Sequence, residues 1–374
     1  MKKILWSIIP LVVALFFVHT PDADAKEYTL PLGEEQKGTL TKEEKENTHI
    51  ITIKEAGRIN LVLSSEIEKV STNTNLYDTS GKKVWNLVNG VPTGNVSSPG
   101  IWNQSAFLQP GTYHFKIQSF LGYTGNYTIK VDFKAAKTND IEPNNTTAQA
   151  QKLTVNKKAT TGLISWNDSV DYYKFTLPKD GTATINITSY PKIMTLSLQD
   201  SKGVAAIKKA YISNKNTPNS AKWKETIHLQ KGTYYIKIQR NSDPDDQGKY
   251  NIGINFKSAG TNELEPNNTN KSAQNLRFKT QKVTGLLSWN DTHDYYKIKV
   301  AKKRTVHVNL TSKLDAVYIV LYDASGFPIW KQSVFGSVSK PKKSRKTTTL
   351  KAGTYYVSVE KLNHFTGKYS ISVE

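Results

Sequence analysis

A block of residues is written twice in this chain, and its spacing does not slip. Ile141-Glu142-Pro143-Asn144-Asn145-Thr146 is followed by Gly162-Leu163-Ile164-Ser165-Trp166-Asn167-Asp168-Ser169-Val170-Asp171-Tyr172-Tyr173. Leu264-Glu265-Pro266-Asn267-Asn268-Thr269 is followed by Gly285-Leu286-Leu287-Ser288-Trp289-Asn290-Asp291-Thr292-His293-Asp294-Tyr295-Tyr296. Pro143 and Pro266 stand 123 positions apart (266 − 143), as do Trp166 and Trp289 (289 − 166). Repetition without a gap over that length means repeated domains.

A second motif occurs three times. Gly111-Thr112-Tyr113-His114-Phe115 returns as Gly232-Thr233-Tyr234-Tyr235-Ile236 and as Gly353-Thr354-Tyr355-Tyr356-Val357. Each copy leads to a further strand-like run: Gly125-Asn126-Tyr127, Gly248-Lys249-Tyr250 and Gly367-Lys368-Tyr369. Thr182 to Thr188 and Thr305 to Thr311 alternate polar and apolar residues, the mark of strands with one wet face. Gly, Asn, Asp and Pro separate the runs, and helical periodicity is scarce. Short helical turns are expected near Thr147–Ala150 and Lys271–Gln274. The chain therefore reads as all-β, with three tandem β-sandwich domains of jelly-roll type. Polar linkers place their bounds at 26–134, 138–257 and 261–374.

Residues 1–25 read as a signal peptide. Lys2 and Lys3 precede the apolar stretch Ile4 to Val18, and Ala23-Asp24-Ala25 is an A-x-A cleavage site. The apolar stretch is shorter than the ~20 residues a spanning helix needs. No other segment suits a membrane span, so we expect a secreted, monomeric protein of bacterial type, released or held at a surface without covalent attachment.

With no cysteine, the chain excludes thiol nucleophiles and cysteine-based metal sites. Its cores, or bound ions, must hold it together outside the cell. A net charge of +20 favours polyanions. Expected partners are a polyanionic or polysaccharide wall polymer, or a collagen-like protein. No nucleic-acid fold motif is present.

Asp140, Glu142 and Asn144 alternate, as do Glu263, Glu265 and Asn267. In an extended segment such side chains share one edge, and Pro143 biases Glu142 toward that geometry. Asp168 and Asp171, like Asp291 and Asp294, sit in an Asn-Asp-x-x-Asp turn. Together with carbonyls and water they make up the 6–8 oxygens that calcium takes, whereas magnesium prefers a tight, hydrated octahedron. The same residues also build turns and caps. The recurrence of both halves in register favours the metal. Unit one carries the strands without the oxygens: Gly38-Thr39-Leu40 is followed by Lys42-Glu43-Glu44-Lys45-Glu46-Asn47, without paired aspartates or Tyr-Tyr.

These motifs resemble the bacterial pre-peptidase C-terminal domain, a family that includes the collagen-binding modules of bacterial collagenases. The resemblance covers units two and three end to end and unit one mainly in its C-terminal half. It implies an accessory β-sandwich. Carried over, its calcium ligands are Asp140, Glu142, Asn144, Asn145, Asp168 and Asp171, and again Glu263, Glu265, Asn267, Asn268, Asp291 and Asp294. Asn145 and Asn268 stand where the family often has Asp, which implies a weaker site.

Outward strand tyrosines offer flat contact surfaces. Tyr113, Tyr235 and Tyr356 are the candidates, joined by Lys342, Lys343 and Arg345 in a basic run expected to be a loop. Trp166 and Trp289 read as packing residues. The histidines are scattered, with no H-E-x-x-H, and no G-x-S-x-G or phosphate loop occurs. The expectation is a non-enzymatic, calcium-stabilised binding protein that adheres to an extracellular polymer. The alternative is an accessory partner of a separate secreted protease or other hydrolase.

Overall fold

The computed structural model describes residues 26–67, 73–87, 95–118, 122–213, 220–243, 245–279 and 281–374. The expected signal at 1–25 lies outside the described residues. The described chain forms six sheets, paired into three sandwiches.

In unit two the five-stranded sheet runs in the order Gln151–Lys152, Val170–Leu177, Gly232–Arg240, Ile193–Asp200, Ala205–Ser213. The four-stranded sheet runs Thr160–Ile164, Gly248–Ser258, Gly181–Ser189, Ala221–Leu229. Unit three repeats both orders, with Gln274–Asn275, His293–Val300, Gly353–Lys361, Ala316–Tyr322 and Pro328–Phe335 in one sheet. Its other sheet holds Lys282–Leu287, Gly367–Val373, Arg304–Ser312 and Lys342–Leu350. Unit one has the same orders. Pairing is antiparallel except at the short first strand of each five-stranded sheet, which runs parallel to its neighbour.

The alternation in the sequence becomes the two sheet faces. In Gly181–Ser189 every second residue is buried, because successive side chains in a strand point to opposite faces. The core of unit two takes Phe175, Leu196 and Ile236 from one sheet and Ile185, Leu229 and Ile252 from the other. Contacts along the chain gather the second and third sandwiches, with Lys54–Ile59 and Ala106–Pro110, into one compact unit; most of the first sandwich makes the other.

Two local expectations are corrected. The basic run is not a loop: Lys342–Leu350 is the edge strand of its sheet, paired with Arg304–Ser312. Its alternating Lys, Ser, Arg and Thr suit a half-wet strand, and lysines on an edge discourage further pairing. The segment 140–144 is not a strand either, but an irregular loop in which the Glu142–Pro143 bond is cis, as is Glu265–Pro266 in unit three. A single 3-10 turn, Asn270–Ser272, stands at one of the two expected helical turns.

Candidate metal centres

Three pieces of backbone build each centre. The loop from the linker is pinned to the first long strand, where Tyr172 N–H donates to Asn144 O at 2.7 Å and Tyr295 N–H to Asn267 O at 2.8 Å. The Ser-Trp-Asn-Asp turn closes on itself in unit two, with Ser165 N–H donating to Asp168 O at 2.8 Å. A cation from the neighbouring strand caps this turn. Arg240 donates to Ser165 O at 3.2 Å and Trp166 O at 3.4 Å. Lys361 does the same for Ser288 O at 3.0 Å and Trp289 O at 2.7 Å.

Behind the turn lies a buried tyrosine pair. The Tyr173 and Tyr250 hydroxyls meet at 2.6 Å, and Tyr250 donates to Asp171 Oδ2. Tyr296 and Tyr369 repeat the contact, and Tyr369 donates to Asp294 Oδ2 at 2.5 Å. The glycine of the repeated block makes room for this ring: a Cβ on Gly162 would overlap Tyr250, and one on Gly285 would overlap Tyr369.

The carboxylates then crowd together. Oxygens of Glu142, Asp168 and Asp171 all lie within 4.8 Å of one another, and so do those of Glu263, Glu265 and Asp294. Asp171, Asp291 and Asp294 are fully buried at 0% exposure. Several buried oxygens have no hydrogen-bond partner: Asp171 Oδ1 and Asn144 Oδ1 in unit two; Asp294 Oδ1, both oxygens of Asp291, Asn267 Oδ1 and Asn268 Oδ1 in unit three. Each orphaned acceptor costs about 1–3 kcal/mol, more if charged. The arrangement is stable only if protons or a cation neutralise it.

Burial, reinforced by the neighbouring acids, pushes the carboxyls upward. Burial and Asp168 raise Glu142 to about 7, and burial lifts Asp168 to about 6. In unit three, burial brings Glu263 to about 8 and Asp291 to about 7. Asp171 and Asp294 are raised further, by burial first and then by Asp168 and Asp291 respectively.

The expected ligand residues do not all play one part. Asp140 stays outside the tight trio, accepting from Leu163 N–H at 3.2 Å. Its counterpart Glu263 is one methylene longer. It accepts from Leu286 N–H at 2.6 Å and still belongs to the trio of unit three. Asp291 lies outside that trio but is buried with both oxygens unpartnered. Asn145, oriented to satisfy its neighbours, donates to Asp168 Oδ1 at 2.8 Å and to Val170 O. Its amide holds a carboxylate rather than offering an oxygen. Glu142 accepts from Asn144 N–H at 2.9 Å, and Glu265 from Asn267 N–H at 3.0 Å.

Unit one fills the same slot with neutral groups. Register with the neighbouring strands places Asn47, His49 and Tyr127 where unit two has Asp171, Tyr173 and Tyr250. Asn47 Nδ2 donates to Thr39 O and to Tyr127 Oη, both at 2.9 Å. The His49 ring meets Gln36 Oε1 and Tyr127 Oη, both at 2.8 Å.

The surface candidates separate. Tyr113 is 2% exposed and packs in the core of unit one. It aligns with Tyr234, the inward tyrosine of its pair, while the outward position in unit one is His114. Tyr235 and Tyr356 are half-exposed on the outer face of their sheets. Tyr356 stands opposite Lys297 and Tyr322, beside a row in which Lys331 lies 3.7 Å from the Tyr318 ring centroid. Lys342 and Lys343 are exposed on the edge strand, and Arg345 pairs with Glu374 at 3.2 Å. Trp289 does pack: it lies against the core of unit two, and its N–H donates to His228 O at 2.8 Å.

Arg240, Lys361 and the tyrosines Tyr250 and Tyr369 were not among the sequence-derived candidates. The recurring Gly-Lys-Tyr strand carried the signal for both tyrosines. The capping cation changes identity between units, which hid it.

No family model matches this chain. A stretch of 118 residues is 34% identical to Collagenase ColA of Clostridium perfringens, taking in 30% of this chain and 10% of the collagenase. The chain thus spans about a tenth of that relative's length. The pre-peptidase C-terminal domain of a Bacillus anthracis collagenase aligns at 21% identity over 27% of this chain and 94% of its own, with a TM-score of 0.24. A triple jelly-roll protein of an archaeal virus aligns over 92% of this chain and 84% of its own at 8% identity and a TM-score of 0.20. Scores this low carry nothing about function. The repeated motifs resemble the pre-peptidase C-terminal domain, and the likeness to a collagenase over 118 residues supports that resemblance for about one unit's length.

Proposed function

We propose that this chain is a secreted, non-catalytic binding protein whose second and third units each hold a calcium ion and whose sheet faces adhere to an extracellular polymer. The observation that carries the reading is the pair of carboxylate clusters, each built around buried aspartates with unpartnered oxygens. A hard, oxygen-seeking cation answers that donor set. Glu142, Asp168 and Asp171 would hold it in unit two; Glu263, Glu265 and Asp294, with Asp291 beside them, in unit three. The unpartnered side-chain amide oxygens of Asn144, Asn267 and Asn268 are available to complete the shells. The ion would supply charge neutralisation and fix the loop; no chemistry on a substrate is assigned to it.

The polymer is a wall polysaccharide or a collagen-like protein. The collagenase likeness supports the second; the basic surface and the outward tyrosines suit either.

Calorimetric titration of the full chain with calcium tests the metal reading. Two binding events are expected, one lost in Asp171→Ala and the other in Asp294→Ala. A flat titration at neutral pH after chelator treatment sinks it. Pelleting with insoluble wall, chitin, cellulose and collagen, at two salt concentrations, tests adhesion. Salt-resistant binding assigns it to Tyr235 and Tyr356, salt-sensitive binding to Lys342, Lys343 and Arg345. Binding to none of the four removes adhesion from the reading.

A further inference from the structure

The outer face of the four-stranded sheet in unit three bears a pocket that the metal centres do not use. Lys282, Lys313 and Lys368, with Thr284, Thr311 and Ser370, line a cavity of about 310 Å³ that reaches the linker at Ala259. Strand register makes this a built arrangement: Ser370 stands directly opposite Thr284 on one side and Thr311 on the other. Three hydroxyls therefore form a row across three strands, flanked by ammonium groups. Lys313 N–H donates to Lys368 O at 2.9 Å, fixing one lysine beside the other. The Lys368 ammonium donates to Ala259 O, which turns it toward the linker.

Charge in this pocket is of one sign. None of the three ammonium groups joins an ion pair among the described residues, whose salt bridges all lie elsewhere. Burial lowers the Lys368 amine, and the positive charges of Lys313 and Lys257 lower it further. Glu263, on the linker side, already accepts from Leu286 N–H, and its Oε2 lies 3.3 Å from the Tyr369 hydroxyl. Crowded cations without a counter-charge are unfavourable, and an anion relieves them.

Unit two supplies an internal contrast. The hydroxyl and amide row is kept there as Thr161, Asn251 and Thr188. Counting from the shared Gly162/Gly285 and Ser189/Ser312, the positions of Lys282 and Lys313 hold Ala159 and Tyr190. Only Lys249 matches, at the place of Lys368. The fold does not require the lysines, so their gathering in unit three is specific to it.

We propose that this pocket binds a phosphate or sulfate oxyanion, of the kind borne along an anionic polymer. Thr284 already donates to Asn262 Oδ1 at 3.0 Å, so the Thr311 and Ser370 hydroxyls and the ammonium groups are the donors that converge on this volume, and a tetrahedral oxyanion presents acceptors in several directions at once. The pocket shares Tyr369 with the metal centre of unit three but none of its carboxylates.

The test titrates the full chain, without added calcium and at fixed ionic strength, with inorganic phosphate and then inorganic sulfate. Polyphosphate and dextran sulfate follow, to separate a phosphate-bearing from a sulfate-bearing source. Two charge-matched variants are compared, Lys282→Ala/Lys313→Ala and, in the turn at the far end of the Arg304–Ser312 strand, Lys302→Ala/Lys303→Ala. All four substituted residues are exposed, and melting curves without anion check that both variants fold. Losing two charge-assisted hydrogen bonds weakens affinity by at least about tenfold, so the pocket variant is expected to lose that much. The turn variant is expected to stay within about twofold of the parent, since it removes only long-range charge. Equal weakening in both variants reduces the effect to net charge and overturns the pocket, as does a parent chain that shows no saturable binding. Retention of calcium binding in Lys282→Ala/Lys313→Ala separates failure here from failure of the metal reading.

Discussion

Units one and three share a strand order, yet they solve one packing problem in opposite ways. At the same point of the sandwich unit one places Asn47, His49 and Tyr127, and unit three places Asp294, Tyr296 and Tyr369. In unit one the polar atoms largely satisfy each other: the amide donates twice and the imidazole bridges Gln36 and Tyr127. In unit three the carboxylate accepts one phenol proton and keeps an oxygen unpartnered, beside two more acids. The first is a neutral hydrogen-bond network that leaves the Asn47 Oδ1 without a partner. The second needs something from outside. The fold tolerates both because the Gly–Tyr contact that shapes the slot is common to them, through Gly38 and Tyr127 or Gly285 and Tyr369.

The comparison breaks most sharply under Asn47→Asp. Aspartate at position 47 cannot donate to Thr39 O, and no second acid stands by to share a cation. An uncompensated buried charge costs about 3–5 kcal/mol. Unit one should lose that much at pH 8, recover part of it at pH 5 where the acid is protonated, and show no response to calcium. A calcium-dependent recovery measured by calorimetry would show that the slot alone makes the site.

pH separates the units next, with opposite signs. Burial pushes the His49 imidazole down to about 4, against an ordinary 6.5. The unfolded chain then binds the extra proton, so unit one's stability is present above pH 6.5 and lost as pH falls toward 4, by roughly 3 kcal/mol. The acids of units two and three are raised instead. Without calcium their contribution is present below the ordinary carboxyl range and lost as pH climbs through about 6 to 8, where Asp168, Glu142, Asp291 and Glu263 ionise. Melting curves at pH 4.5 and 8.5 in chelator should therefore reorder the transitions. Parallel shifts for all three units would refute the assignment.

Calcium reverses the second of these trends. Ligands must shed protons to bind the ion, so affinity should rise between pH 6 and pH 8. At 100 times the dissociation constant each loaded unit gains about 2.7 kcal/mol, or roughly 10 °C in melting temperature for a domain near 100 residues. Unit one should not move. Differential scanning calorimetry of the full chain resolves this, and a uniform shift of every transition would argue for a general salt effect.

Much of this contrast is legible in the sequence. The alternation in Thr182 to Thr188 gave the strand, and the in-register block gave both acid clusters, because local pattern and spacing survive translation into sheets. What stayed hidden depended on contacts across the sandwich. Tyr250 meets Asp171 from a strand far along the chain, and Asn47 takes the place of an aspartate with no sequence motif around it. Tyr113 was misplaced because a lone tyrosine does not reveal which face it occupies; only register does. The 140–144 segment was misjudged as extended because alternation of acids mimics a strand while the chain there bends.

The smallest predicted effect distinguishes the two metal centres from each other. Asn145 and Asn268 occupy equivalent positions, but Asn145 uses its amide to hold Asp168 and Val170 O, whereas Asn268 Oδ1 is buried without a partner. An aspartate at 145 removes the donor and sets a carboxylate against Asp168. An aspartate at 268 adds a ligand charge where an acceptor is already unpartnered. Asn145→Asp should weaken calcium binding in unit two, and Asn268→Asp should strengthen it in unit three, each by less than about tenfold, that is under about 1.4 kcal/mol. Opposite signs in paired titrations identify Asn145 as a positioning residue and Asn268 as a ligand. Equal signs would mean that the added charge alone governs affinity, and that the hydrogen bonds of Asn145 do not matter once the ion is bound.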